Sequence, residues 1–263
     1  MHADLFDRYH HGHSPLHRLD PRVKVVLTVA FIVSNVLLTE GAWLAFALSW
    51  LFILAANLIS QLGWSFSLRR SFIALPFALA ALSSLFEMHG QPLAEWHIFS
   101  WTLIPTDFGL LRFISILIRS WLSVQAAILL VAVTPFPDLI HALEHLRVPK
   151  VITTIIAFLY RYLFVLTDEV LRLIRARQAR AAASPGRRSG GSVGWRANVA
   201  GNMVGQLFLR SYERSDRIYN AMLARGYTGQ IRTLHPHVLT RRDWLLGALV
   251  LILFLLIQLV GRS

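Results

Sequence analysis

The stretch VITTIIAFLYRYLFVLTDEVLRLIRARQARAAA, residues 151–183, decides how this chain is organised. Its first half, residues 151–166, is uncharged apart from Arg161, and its second half is rich in arginine and in strong helix formers. The whole stretch contains no Pro or Gly that would interrupt a helix. An apolar run of 16 residues is short for a membrane crossing, which needs about 20. The sequence therefore predicts one long helix, residues 149–183, whose first half lies against the membrane or other spans and whose second half lies in water.

The amino-acid composition is that of a membrane protein. Apolar residues make up 55% of the 263 residues and charged residues only 15%, whereas a soluble domain carries about 25% charged residues. Four runs are long and apolar enough to cross a bilayer, and a fifth is shorter and contains Pro76, which neighbouring helices can accommodate. The five predicted spans are residues 23–39, 41–59, 71–86, 110–133 and 244–260. We expect an all-α polytopic membrane protein with about five transmembrane helices, or six if the apolar half of the long helix also spans.

The distribution of Lys and Arg predicts which connections lie in the cytoplasm, because basic loops stay inside. Basic segments alternate along the chain with connections that contain acids and no Lys or Arg. The basic segments are the N-terminus, residues 61–71 and the chain after residue 133; the acidic connections are residues 39–41 and 87–107. If residues 151–166 crossed completely, the twelve arginines of residues 172–232 would lie outside. We therefore expect a cytoplasmic N-terminus and two cytoplasmic long helices, with a sixth span as the open alternative.

A second long helix is predicted after a loop. The sequence SPGRRSGGSVG, residues 184–194, contains the Pro, Gly and Ser cluster of a loop, and a helix follows over residues 195–225. Gly226 suits the left-handed conformation that ends helices. Small residues at a spacing of four form a ridge on one helix face, at Ala197, Gly201 and Gly205. Such a ridge lets two helix backbones approach closely, so we expect the two long helices to cross there; packing of the ridge on a neighbouring span is the alternative.

These elements divide the chain into three predicted regions. Residues 134–243 hold 17 of the 26 Lys and Arg but only 7 of the 14 Asp and Glu, which marks them as the cationic part. The first predicted region, residues 1–133, is an N-terminal cytoplasmic segment with four transmembrane helices. The second, residues 134–243, is a cytoplasmic domain with a short helix at 138–147 and long helices at 149–183 and 195–225. The third, residues 244–263, is a C-terminal transmembrane helix.

The sequence offers little that points to catalysis or to a cofactor of its own. The absence of cysteine excludes disulfides and zinc–thiolate sites. No glycine-rich phosphate loop, nucleophile elbow or Ser/His/Asp grouping is evident in the sequence. The basic helices carry almost no aromatic residues among their arginines, which favours the cytoplasmic leaflet and an acidic protein groove over nucleic acid as their targets.

The sequence also contains clustered histidines and an arginine within a predicted span. His141 and His145 have the i, i+4 spacing of a metal-binding pair, but HALEH lacks the HExxH order, and an amphipathic interface helix is the favoured interpretation. The N-terminal histidines are interpreted as loop residues rather than metal ligands; they are His10, His11, His13 and His17. Arg119 lies deep in the fourth span, where we expect it to face other helices or a membrane partner, with Glu87 or Asp107 as its counter-ion.

Four segments in order along the chain carry a resemblance to a known family. They are SPLHRLDPRVK at 14–24, TPFPDLIHALEHLRVPK at 134–150, YRYLFVLTDEVLRLIRARQARAA at 160–182 and YNAMLARGYTG at 219–229. With them the chain resembles the transmembrane T component of energy-coupling factor (ECF) transporters, in the CbiQ-like cobalt and nickel branch. The resemblance covers most of the chain and is weakest at residues 86–107.

The resemblance implies a coupling subunit without catalytic activity of its own. Such a subunit links two cytoplasmic ATPase subunits to a substrate-capturing membrane S component, and it leaves room for a small accessory membrane subunit. Family members carry a short sequence motif that contains Ala-Arg, called the Ala-Arg word below, at the end of each long cytoplasmic helix. The second word is Ala224-Arg225-Gly226; the first aligns to Ala179-Arg180-Ala181, where Ala replaces the commoner Gly or Ser, and the register Ala176-Arg177-Gln178 remains an alternative.

The same resemblance implies the cargo and the location. The expected substrate is cobalt for cobalamin synthesis, with nickel or a vitamin as alternatives, and the expected location is the bacterial inner membrane. Two rivals from other classes remain: a stand-alone membrane enzyme that acts on a lipid-linked phosphate, and an autonomous channel or carrier. A carrier predicts inverted repeats, and none is evident in the sequence.

Overall fold

The computed structural model describes residues 9–10, 12, 14–63, 65–74, 76, 81–82, 96–98, 101–103, 106–180, 192–229 and 239–262. Its helices are α1 (Pro15–Arg18), α2 (Pro21–Leu37), α3 (Trp43–Ile59), α4 (Ser65–Arg70), α5 (Asp107–Val133), α6 (Phe136–His145), α7 (Lys150–Arg180), α8 (Val193–Ala224) and α9 (Arg241–Val260), with a 3₁₀ turn at Ser71–Ala74 after α4. The chain forms two compact units, one within Arg147–Pro236 and the other within Asp7–Leu146 and His237–Ser263. The all-α fold class is confirmed.

A short hairpin is the exception to helical structure in the described part of the chain. Strand β1 (Trp96–Ile98) pairs antiparallel with β2 (Trp101–Leu103), so that Trp96 lies opposite Leu103. The hairpin falls in the connection that the charge pattern places outside the membrane. Hydropathy and charge did not predict it.

Three helices are long and apolar enough to cross a membrane by length and composition: α5, α7 and α9. Helices α2 and α3 have 17 residues each, which is at the lower limit for a crossing, about 17 residues. Of the predicted span at 71–86, the structure describes residues 71–74, 76 and 81–82, and the rest lies outside the described residues. Because α7 includes the disputed stretch 151–166 and meets the length and composition criterion, a sixth span remains open.

The core of the larger unit is an aromatic and aliphatic cluster shared by α2, α3, α5 and α9. Phe31, Phe52 and Phe254 contact one another with ring centroids 5.1 to 5.6 Å apart. Ile53 and Leu122 are fully buried beside them. The outward faces of the same helices carry exposed leucines, valines and tryptophans, which is the arrangement expected of helices that face lipid.

The N-terminal segment is fastened to the end of α5. The amine of Lys24, in the first turn of α2, is only 6% exposed and donates hydrogen bonds to the carbonyls of Val133 and His17. The amide of His10 donates to the carbonyl of Ala132. The last carbonyls of a helix lack hydrogen-bond donors within the helix. Here Lys24 and His10 of the N-terminal segment donate to two of these carbonyls, those of Val133 and Ala132.

Arg119 has a different partner from the one the sequence suggested. Its guanidinium donates to the carbonyl of Leu38, just after the end of α2, at 2.6 Å. Asp107 is twelve residues away on the same straight helix, about 18 Å along the axis, so it is out of reach; Glu87 lies outside the described residues. The carboxylate that interacts electrostatically with Arg119 is that of Glu40. Glu40 itself forms an ion pair with Arg112 at 3.4 Å.

We expect Arg119→Met to destabilise the membrane unit by about 1–3 kcal/mol, because the Leu38 carbonyl loses a charge-assisted hydrogen bond away from water. Thermal unfolding of the purified protein in detergent measures the change. The control is Arg112→Met on the same helix, whose ion pair is exposed and should contribute about 0–1 kcal/mol. Equal losses of stability in the two variants would contradict this role of Arg119.

Candidate functional site: the cationic helix pair

The second unit is a pair of long helices, α7 and α8. Helix α8 begins after Ser192, whose hydroxyl accepts a hydrogen bond from the Trp195 amide. The start is two residues before the predicted one because this serine cap satisfies the free amides of the first turn. Helix α7 ends at Arg180 in the described chain, and residues 181–191 lie outside the described residues.

The end of α8 presents the second Ala-Arg word. Ala224 is the last helical residue, and Gly226 has a φ of +79°, the left-handed conformation in which glycine is favoured. The amide of Gly226 donates to the carbonyl of Leu223, and that of Tyr227 donates to Met222. Arg225 therefore stands at the point where the helix stops, and the residue is exposed to solvent.

The end of α7 carries the first word. Ala179 and Arg180 are exposed on the last turn of the helix, whereas Arg177, from the alternative register, is half-buried. Ala181, the third residue of the predicted word, lies outside the described residues. Exposure makes Arg180 the arginine better placed to contact another protein, and the assignment of the first word to Arg180 stays a prediction.

The small-residue ridge does not lie at the contact between α7 and α8. A Cβ atom added at Gly201 or Gly205 would meet no other part of the described chain within 4 Å. Ala197, the first residue of the ridge, borders the cleft between the two helices. The predicted crossing of the two long helices at Gly201 and Gly205, and the alternative packing of these glycines on a neighbouring span, are therefore not seen in the described part of the chain.

An ion pair joins the two helices instead. The carboxylate of Glu169 on α7 accepts a hydrogen bond at 2.7 Å from the guanidinium of Arg210 on α8, and Arg172 lies 3.9 Å from its second oxygen. The Glu169 side chain is 15% exposed and that of Arg210 is 56% exposed. Sequence analysis missed this pair; its signal is a carboxylate placed directly before an arginine-rich helical segment.

A cationic cleft of about 1320 Å³ opens beside this ion pair, between the arginine-rich half of α7 and the first half of α8. Its charged lining residues are five arginines and one glutamate: Arg172, Arg177, Arg180, Arg196, Arg210 and Glu169. Guanidinium groups bind carboxylates bidentately and stay ionised. The cleft is therefore suited to an acidic protein segment.

The described histidines do not form a metal centre. No group of three or more His, Cys, Asp or Glu that could hold a metal ion occurs among the described residues. His141 and His145 lie with ring centroids 4.5 Å apart on α6, a helix that buries Ile140 and Ala142. His17 shares a hydrogen bond with the Ser14 hydroxyl; His11 and His13 lie outside the described residues.

Comparisons with known proteins extend over nearly the whole chain. The family described as "CbiQ: Cobalt transport protein" matches residues 12–238. An uncharacterized protein of Methanocaldococcus jannaschii is 27% identical over 91% of this chain and 80% of its own length. Two proteins named "Energy-coupling factor transporter transmembrane protein EcfT" are each 28% identical: that of Lacticaseibacillus paracasei over 95% of both chains, and that of Lactococcus lactis subsp. cremoris over 98% of both chains.

Proposed function

Because the chain belongs to the CbiQ cobalt transport protein family, we propose that it is the transmembrane coupling subunit of an ATP-driven ECF transporter. In this role the chain links cytoplasmic ATPase subunits to a membrane S component that binds the substrate, and ATP hydrolysis takes place on the partner. The relatives named EcfT support the role, since they align with this chain over almost its full length.

The observation that carries the proposal is the exposed arginine at the end of α8. Arg225 stands where Gly226 stops the helix, so its guanidinium can enter a groove on another protein without interference from a following turn. The flanking Ala224 is small and leaves room for such a groove. A guanidinium that binds carboxylates bidentately on a rigid helix end is suited to transmit a force between proteins.

Two arginine words indicate two ATPase contacts. We propose that Ala179, Arg180 and Ala181 bind one ATPase subunit and that Ala224, Arg225 and Gly226 bind the other. ATP-driven approach of the two ATPase subunits then displaces the ends of α7 and α8, and the ion pair between Glu169 and Arg210 makes the helices move as one body. The S component moves in response and releases its cargo towards the cytoplasm.

We propose a divalent transition metal as the cargo, and cobalt before nickel. The support is the family description, which names cobalt transport; the EcfT relatives carry no substrate in their names. Uptake of radioactive cobalt by cells that express the whole transporter, with nickel and vitamins as competitors, tests the choice. If unlabelled nickel inhibits the uptake of radioactive cobalt at concentrations equal to or lower than those of unlabelled cobalt, nickel is the favoured cargo.

The proposed orientation and domain division follow the charge pattern. The N-terminus and residues 134–243 are placed on the cytoplasmic side of a bacterial inner membrane, and residues 134–243 form the coupling domain. The compact unit within Arg147–Pro236 supports a separate cationic body inside that range. The membrane-facing residues are those on the outward faces of α2, α3, α5 and α9.

Copurification tests the proposed function directly. A tagged chain extracted from the membranes of its own cells is expected to carry an ATPase and a second polytopic membrane protein, both identified by mass spectrometry. A chain that purifies alone and turns over a lipid-linked phosphate without an ATPase would contradict the proposal in favour of an enzyme.

A further inference from the structure

A second, apolar groove separates the other halves of the two long helices. It has a volume of about 610 Å³ and lies between the first half of α7 and the last half of α8. Val151, Ile155 and Leu159, spaced four apart on α7, line it and are 68%, 58% and 62% exposed. Ile218 and Met222 line the opposite wall. A continuous apolar strip of this kind needs a covering group.

The groove contains one cationic side chain, that of Arg214. Arg214 is half-buried, and no hydrogen bond or ion pair joins it to another residue in the part of the chain that the structure describes. The neighbouring acid Asp216 interacts instead with Asn220. A partly desolvated cation without a counter-ion is unfavourable, so an anion in the groove would be stabilised by Arg214.

Several residues that line the groove carry hydroxyl groups. Ser211 and Ser215 lie beside the cation on α8, and Tyr162, Tyr219 and Tyr227 line the groove as well. Tyrosines and arginines next to an aliphatic wall are typical of side chains at a membrane interface, where the ring or stem meets acyl chains and the polar end meets headgroups. The volume of the groove also falls within the range of small-molecule sites, roughly 300–1000 Å³.

We propose that this groove binds one anionic phospholipid, with its phosphate at Arg214 and an acyl chain along Val151, Ile155 and Leu159. The proposal goes beyond the coupling role and rests on it only in placing the first half of α7 at the membrane. A lipid fits the observations better than an acidic partner helix because α7 is long and apolar enough, by length and composition, to cross a membrane, and the exposed side chains that line the groove on α7 are aliphatic. Bound lipid then fills the space between the two coupling helices.

Lipid retention by the purified protein tests the proposal. The full chain is extracted in mild detergent, incubated with mixed micelles of phosphatidylglycerol and phosphatidylcholine in equal amounts, separated by gel filtration and analysed for bound lipid by mass spectrometry. We expect the wild type to retain phosphatidylglycerol preferentially. Arg214→Gln should reduce that retention about tenfold, which corresponds to the loss of one charge-assisted hydrogen bond.

The matched control is Arg217→Gln. Arg217 is on the same helix, is exposed and does not line the groove, so its replacement removes the same charge while retention stays unchanged. Circular dichroism and gel filtration exclude misfolding. Inorganic phosphate alone should not displace the lipid, because the acyl chain contributes to binding; displacement by phosphate would show a simple anion site and overturn the proposal.

Three further outcomes would also overturn it. Equal retention of both lipids by the wild type, or equal losses in Arg214→Gln and Arg217→Gln, would show that Arg214 does not bind a lipid phosphate. The variant Ile155→Cys places a thiol in the groove. If maleimide labelling of this thiol is blocked only when a protein partner is bound, the groove belongs to that partner. Lipid retention is measured on the chain alone, so its failure is distinguishable from failure of the coupling role. Lipid can be lost while the ATPase still copurifies, and lipid can be retained when no ATPase copurifies.

Discussion

Replacing Arg225 with glutamate is expected to reduce ATPase copurification strongly, with the contact at Arg180 remaining, and to abolish metal uptake. The substitution reverses the charge at an exposed helix end where the proposal places a bidentate contact with a carboxylate. Truncation of one member of a desolvated charge pair costs about 2–5 kcal/mol, which is roughly 30-fold or more in affinity, and charge reversal adds repulsion. Quantitative pull-down of the ATPase and cellular cobalt uptake measure both effects.

The control for this experiment is Arg217→Glu. It makes the same charge change on the same helix two turns earlier, where the side chain is exposed and its guanidinium donates to the backbone carbonyl of Glu213. Surface electrostatics alone would affect both variants equally. Intact copurification and uptake in Arg225→Glu, or the same loss in Arg217→Glu, would contradict the assignment of Arg225.

Pull-down of the ATPase and cobalt uptake also decide whether Arg180 or Arg177 is the arginine of the first Ala-Arg word. Arg180→Glu should reduce ATPase binding strongly, whereas Arg177→Glu should do so weakly, because Arg180 is exposed and Arg177 is half-buried. The opposite order would move the word to the register Ala176-Arg177-Gln178.

Breaking the ion pair between the two long helices is expected to uncouple ATP hydrolysis from transport. Glu169→Arg places a cation opposite Arg210 and beside Arg172, where the wild type has a hydrogen bond of 2.7 Å. Without this contact the helix ends can move independently, so the ATPase subunits still bind and hydrolyse ATP. The ratio of cobalt imported to ATP hydrolysed in proteoliposomes should fall at least tenfold if the ion pair transmits the motion.

The charge swap separates this role from simple folding damage. The double variant Glu169→Arg with Arg210→Glu restores an opposite-charge pair and should recover much of the transport ratio. A double-mutant cycle should give a coupling energy of about 0.5–3 kcal/mol, at the lower end because Arg210 is 56% exposed. A swap variant no better than the single variants, or normal transport in Glu169→Arg, would contradict the role of this ion pair.

The parts of the fold that follow from local chemistry could be predicted from the sequence. Gly226 ends α8 because its left-handed conformation suits glycine, and the positions of the two long helices follow from helix-forming residues between loop signals. Differences at the boundaries have a local cause: Ser192 caps α8 and moves its start to Val193. Hydropathy and charge were enough to predict the all-α membrane fold.

The contacts between elements could not be predicted in this way. The sequence shows that Arg119 is a charge within a span, but its partner is a backbone carbonyl at Leu38, a type of group that every residue carries. Glu169 and Arg210 are 41 residues apart in sequence and lie on different helices, so no spacing rule relates them. The small residues at Gly201 and Gly205 can be recognised in the sequence, but the sequence does not show that they contact no other part of the described chain.

Cysteine accessibility tests the central claim that both long helices lie on the cytoplasmic side of the membrane. The chain has no cysteine, so Ser189→Cys places a single thiol in the loop predicted at residues 184–194, and Gln91→Cys places one in the predicted outer loop as a control. In intact cells a membrane-impermeant maleimide should label residue 91 and leave residue 189 unlabelled until the membrane is permeabilised. Labelling of residue 189 in intact cells would put the arginine-tipped helices out of reach of any ATPase and would contradict the account.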